Sequence, residues 1–158
     1  MILCRGPLAI EMTACQILPL GEEHLSALAT LEKLCFSEPW SEQGLSLLLA
    51  EGNFGVVLLW EGQAVAYGGM TTVLDEGAVT NIATHPDYRR QGLGRQALRA
   101  LLAEAERRGL YQVFLEVRQS NLAARALYEA EGFVACGLRK GFYRHPTENA
   151  IQMVWKKD

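Results

Sequence analysis

A strong charge of either sign is missing from this chain: 15 lysines and arginines stand against 18 aspartates and glutamates, for a formal net charge of -3. A general nucleic-acid binder would carry a basic excess, so no direct nucleic-acid partner is expected. Cysteine is sparse. Cys4, Cys15, Cys35 and Cys136 include no C-x-x-C pair, which removes the usual zinc and dithiol signatures. They read as small buried or semi-buried thiols in a reducing, cytoplasmic compartment, and no metal is expected. No apolar run approaches the roughly 20 residues that cross a bilayer. The N-terminus also lacks the apolar core of a secretory leader, so no membrane partner is expected either. Repeats and low-complexity tracts are absent.

What is there suits one ordinary domain. With 158 residues, 49% of them hydrophobic, the chain can bury a core without help from disulfides or metal. Residues 1–11, broken at Gly6-Pro7, read as an N-terminal extension with Met12 as an alternative start; residues 12–158 read as a single domain. Cys15 to Pro19 predicts a strand. Glu22 to Cys35 has apolar residues at near-helical spacing, and Pro39 holds Glu38 extended, which ends that helix. Ser41 is a candidate N-cap for a second helix reaching about Glu51. Three strand-like runs follow, Gly55 to Trp60, Ala64 to Val73 and Ala78 to Thr84, joined by short links that suit antiparallel hairpins. Gly68-Gly69 suggests a bend or bulge.

Beyond Thr84 the pattern changes to a polar loop, an amphipathic helix from Leu93 to Arg108, a strand from Tyr111 to Val117 and a helix from Leu122 to Glu131. Two last strands, Ala135 to Tyr143 and Ala150 to Lys156, flank the polar segment His145 to Asn149. The strand–helix–strand unit between Ala78 and Val117 implies a parallel pair. The expected fold is α/β in the α+β sense: a mixed, mostly antiparallel sheet with one parallel pair and helices on both faces.

The segment Arg89-Arg90-Gln91-Gly92-Leu93-Gly94-Arg95 opens the amphipathic helix. A helix start exposes N–H groups without partners, its dipole favours anions, and glycines let a ligand approach the backbone. With the arginines, these form a cradle for a phosphate or pyrophosphate. The Walker pattern is absent. Gly92-x-Gly94-x-x-Ala97 fits a relaxed dinucleotide fingerprint, but seven residues separate Thr84 from Gly92, where a dinucleotide fold turns almost directly from strand to helix.

Arg89-x-x-Gly92-x-Gly94 resembles the pyrophosphate signature of the GCN5-related N-acetyltransferases (GNAT). Asn81 to Tyr88, Leu115-Glu116-Val117-Arg118-x-Ser120-Asn121 and Ala126-Leu127-Tyr128-Glu129-x-x-Gly132-Phe133 are similar to the rest of that family's cofactor site. Phe36-x-x-Pro39-Trp40-Ser41 and Asp75-Glu76 resemble the RimI-type branch, which acetylates the N-terminal alanine of a small-subunit ribosomal protein. The likeness spans roughly Cys15 to Trp155. It implies acetyl-CoA as co-substrate and a parallel strand pair splayed to admit it. It also implies pantetheine pairing at Ile82, Ala83 and Thr84, phosphate contacts from Arg89, Arg90, Gln91, Gly92, Leu93, Gly94 and Arg95, and a further CoA contact at Asn121.

Acyl transfer to an amine needs a base for the amine and an acid for the leaving thiolate. Glu116 interrupts an apolar strand, where a carboxylate is costly unless used or paired. It is the base candidate, with an exposed position on an edge strand as the bland alternative. Tyr128, seven positions after Asn121 and on nearly the same helix side, is the acid candidate, or else a core tyrosine with a bonded hydroxyl. His85 and the thiols of Cys35 and Cys136 are rivals without a local partner to activate them. Phe36, Trp40 and Tyr143 are candidate walls for a peptide N-terminus. A small-molecule amine or lysine acetyltransferase, and a non-catalytic acyl-CoA-binding module, remain as alternatives. The oligomeric state is not legible.

Overall fold

The computed structural model describes residues 2–5 and 11–157. Its sheet has eight strands: β1 (Ile2–Arg5), β2 (Glu11–Pro19), β3 (Phe54–Trp60), β4 (Gln63–Val73), β5 (Glu76–Thr84), β6 (Gln112–Arg118), β7 (Val134–Tyr143) and β8 (Glu148–Lys156), in the order β1-β2-β3-β4-β5-β6-β8-β7. The helices are α1 (Leu25–Cys35), α2 (Glu42–Leu45), α3 (Leu93–Arg107) and α4 (Leu122–Ala130). Part of the segment read as an extension thus adds an antiparallel edge strand to β2. Cys15 departs from the thiol reading: it is buried and held in a disulfide, whereas Cys35 and Cys136 are free and Cys136 is exposed.

The central strands are apolar almost without interruption because both of their faces are covered. Successive residues of β3 and β4 point to opposite sides. Val56, Leu58, Ala66 and Met70 pack with Leu93, Ala97, Leu98 and Leu101 of α3. Val57 and Tyr67 pack on the other face with Leu25, Leu28 and Leu31 of α1 and with Leu45 and Leu48. The helices approach closely where the sheet has no side chain. A Cβ on Gly68 would stand 2.7 Å from Leu101 Cδ1, and one on Gly69 would stand 2.6 Å from Leu48 Cδ1.

All strand pairs are antiparallel except β5 with β6. That parallel pair is short. Its register covers Glu76↔Gln112, Gly77↔Val113 and Ala78↔Phe114, and Tyr111 N–H adds a bond to Asp75 O at 2.8 Å. Beyond Ala78 the two strands part, although β5 continues to Thr84 and β6 to Arg118. A bulge in the β4–β5 ladder between Gly68 and Met70 lies where β5 turns away, as bulges bend a strand and increase its twist. The result is a wedge-shaped opening in the sheet, floored by α3. Among the described residues no helix is long and apolar enough to cross a membrane.

Candidate active site

The wide end of the wedge meets the start of α3. A cleft of about 390 Å³ is lined there by Thr84, Arg89, Arg90, Gly92, Leu93, Gly94, Arg95 and Leu127. Gly92 is the N-cap, at φ 79°, and no side chain caps the helix. Gln96 N–H makes the first helical bond, to Gly92 O, so the amides of residues 93–95 precede any intrahelical bond and face the cleft. Leu93 itself is buried in the core, so what it can offer is its N–H. A Cβ on Gly94 would lie 3.5 Å from Thr84 Oγ1 and 3.9 Å from both Ile82 and Leu127. It would clash with no protein atom and would fill the cleft instead.

Three guanidinium groups surround these amides. Arg89 Nε donates to Thr84 O at 3.3 Å. Arg95 lies 3.5 Å from Glu131, which is itself bound by Arg99, and Arg90, at φ 64°, is exposed. The Gln91 side-chain oxygen is buried without a partner. Ile82, Ala83 and Thr84 pair with Gly68, Tyr67 and Ala66 on one side only; their other edge opens into the wedge. Asn121 spends its side-chain oxygen on capping α4, accepting from Ala124 N–H at 3.1 Å.

The candidate acid and base approach the wedge from different elements. Along β6, Val113, Leu115 and Val117 point into the core beneath α3, so Phe114, Glu116 and Arg118 point to the opposite face. Glu116 is partly buried there, opposite Gln152 of β8. Tyr128 sits on α4 with its ring against Phe133, 5.9 Å between centroids. Burial pushes its phenol up to about 12, and the hydroxyl has no hydrogen-bond partner among the described residues. Tyr143 connects the two: its phenol is raised to about 12 by burial first, then by the Glu116 charge and by Tyr128. Glu116 and Tyr128 therefore both lie within electrostatic reach of Tyr143.

Two of the rival groups are already engaged. His85 Nδ1 accepts from Asp87 N–H and its ring stands edgewise on Tyr88. Burial raises the Cys35 thiol, which donates to Thr84 O at 3.3 Å, the wrong form for a nucleophile. Among the described residues no cluster of His, Cys, Asp and Glu could hold a metal.

Phe36 and Trp40 pack partly on the α1-side core. Facing them is the β7–β8 loop, fastened by a residue that the sequence did not single out. Arg118 donates to Arg144 O and Pro146 O, each at 2.9 Å, pairs with Glu148 and lies 4.5 Å above the Tyr143 ring. The two walls touch where Arg144 N–H donates to Glu38 at 3.1 Å. Glu32 was also missed, although its spacing from Leu25, Leu28 and Cys35 placed it on the apolar side of α1.

The chain as a whole has known relatives. The acetyltransferase (GNAT) family model matches residues 25–133. The [ribosomal protein bS18]-alanine N-acetyltransferase of Escherichia coli is 41% identical over 133 residues, covering 82% of this chain and 88% of that one. The enzyme of the same name from Salmonella typhimurium is 38% identical over 138 residues, covering 85% and 92%. A crystal structure of the Escherichia coli ribosomal-protein alanine N-acetyltransferase superposes with a TM-score of 0.85 at 38% identity, covering 90% of this chain and 93% of that one. With its uncapped, arginine-ringed helix start at the mouth of a split sheet, the chain belongs to the GNAT acetyltransferase family.

Proposed function

We propose that this enzyme transfers an acetyl group from acetyl-CoA directly to the α-amine of a protein that begins with alanine or a similarly small residue. A small-subunit ribosomal protein, met in the cytoplasm, is the proposed acceptor. The relatives named for alanine acetylation of bS18 support this reading. The observations behind the chemistry are that the Tyr128 hydroxyl has no hydrogen-bond partner among the described residues and that Tyr128 and Glu116 both lie within electrostatic reach of Tyr143.

The residues present fit the co-substrate. The amides of residues 93–95 with Arg89, Arg90 and Arg95 would hold its diphosphate. The open edge of Ile82 to Thr84, apart from the Thr84 carbonyl that Arg89 and Cys35 already use, would take the amides of its pantetheine arm. When bound, acetyl-CoA supplies an activated acyl group and a thiolate leaving group. Glu116 takes one proton from the α-ammonium, directly or through water, which frees the nitrogen lone pair for attack; with a pKa of roughly 8 the group gives that proton up readily near neutrality. Tyr128 returns a proton to the departing sulfur, and its raised pKa keeps it protonated until then. One C–S bond breaks and one C–N bond forms; the nitrogen loses two protons in all, the second replacing the one that Tyr128 gave to sulfur and the first passing from Glu116 to solvent.

Phe36, Trp40 and Tyr143 would flank the incoming N-terminus, while Asn121, by its free amide nitrogen, would reach the CoA moiety. Thiol release from acetyl-CoA, measured with short peptides differing in their first residue, is expected to depend on peptide and to favour N-terminal alanine. Release driven by polyamines or internal lysines instead, or acetyl-CoA binding without release, would replace this reading by a small-molecule, lysine or non-catalytic one.

A further inference from the structure

Glu32 is the only charged side chain among the described residues with no exposed surface, and the chemistry above makes no use of it. Burying a carboxylate is costly unless donors surround it, and here they do. Oε1 accepts from Trp40 N–H at 2.9 Å; Oε2 accepts from the Tyr67 hydroxyl at 2.6 Å and from Asn81 Nδ2 at 2.9 Å. The same residue's main-chain oxygen accepts from Phe36 N–H at 2.9 Å. Glu32 therefore holds both ends of the Phe36-to-Trp40 loop and, through Asn81, the strand position just before Ile82. An apolar side chain would fill this space without the desolvation cost, but it would tie nothing together.

We propose that Glu32 is a positioning residue for the acceptor. By fixing Trp40, it sets the loop that forms the outer acceptor wall at a constant distance from the Ile82-to-Thr84 edge. This rests on the reading of the wedge as an acyl-transfer site for a peptide α-amine. Pro39 has no N–H to anchor the loop, so the Trp40 amide is the tie on that side.

Glu32→Gln tests the assignment. An amide offers one oxygen and one NH₂, so with the oxygen kept towards Tyr67 and Asn81 its nitrogen confronts the Trp40 N–H. Loss of a hydrogen bond to a charged group is expected to raise KM for an alanine-initiated peptide about tenfold. In the same variant kcat should stay within about twofold and calorimetric acetyl-CoA affinity should not change, while Trp40 amide exchange should accelerate at least about tenfold. A fall in kcat or in acetyl-CoA affinity with peptide KM unmoved would overturn the proposal. Should the variant not fold, amide exchange in the unmodified protein decides. Trp40 protected well above Ser37 and Glu38 supports the tie, and equal exchange across the loop overturns it. Absence of peptide-dependent turnover in the unmodified protein would instead overturn the acyl-transfer reading, and it would be seen before any variant is made.

Discussion

The proposed base Glu116 and the proposed acid Tyr128 are single side chains, and each has a near-isosteric replacement. Glu116→Gln is expected to lower kcat about a hundredfold near neutral pH, while calorimetry finds acetyl-CoA binding intact. Tyr128→Phe should also slow turnover, and the pH dependence carries further information. Because burial raises the Tyr128 phenol to about 12 in the folded state, its neutral form is favoured by folding. The resulting stability is complete below the unfolded value of about 10 and is lost as pH rises from there through about 12. Below about 10 the phenol keeps its proton, so the alkaline limb of kcat/KM should not move in Tyr128→Phe; a limb that shifts would mean Tyr128 titrates in the working range. Gly94 poses a different test. An added methyl meets no protein atom closer than 3.5 Å, and alanine is the better helix former. Gly94→Ala should therefore hold or raise the melting temperature while weakening acetyl-CoA binding about tenfold or more; lost stability would mean the glycine serves folding rather than the ligand.

At the scale of elements, the sequence was most legible where one local rule governs. The apolar stripe of α3 and the glycine just before it place that helix within one residue, and Ser41 caps α2 as its type predicts, accepting from Gly44 N–H at 3.0 Å. The parallel pair followed from the strand–helix–strand order. The second helix was read too long: α2 ends at Leu45 and the chain continues as a 3-10 turn to Leu49. Asn53 Nδ2 and the Ala50 N–H both bond Leu47 O, a closure made by residues outside the helix pattern. The bonds made by Glu32 and Arg118 were illegible for the same reason. Their partners come from Tyr67, Asn81, Arg144 and Pro146, distant in sequence, and no spacing rule joins them. Arg118→Ala removes the contacts that fasten the β7–β8 loop. It should raise peptide KM by about tenfold or more, at roughly 1.5–3 kcal/mol for a lost charge-assisted bond, with acetyl-CoA affinity retained; an unchanged peptide KM would remove that loop from the acceptor site.

For the molecule as a whole, the split between β5 and β6 sets how ligand and fold are coupled. A ligand that binds only the folded wedge stabilises it by about 2.7 kcal/mol at a hundredfold excess over Kd. Acetyl-CoA at such a concentration should raise the melting temperature by several degrees, and CoA should do nearly the same because the phosphate contacts are shared. Added salt should erode both shifts, since Arg89, Arg90 and Arg95 are exposed or partly so. The split has a mechanical side as well. β1 and β8 lie on opposite sides of it, so tension applied to the two ends of the chain runs through a seam of three paired residues and the bond from Tyr111 to Asp75. Pulled in an optical trap, the protein should part first along that seam, and at a higher force when acetyl-CoA rivets the two plates together.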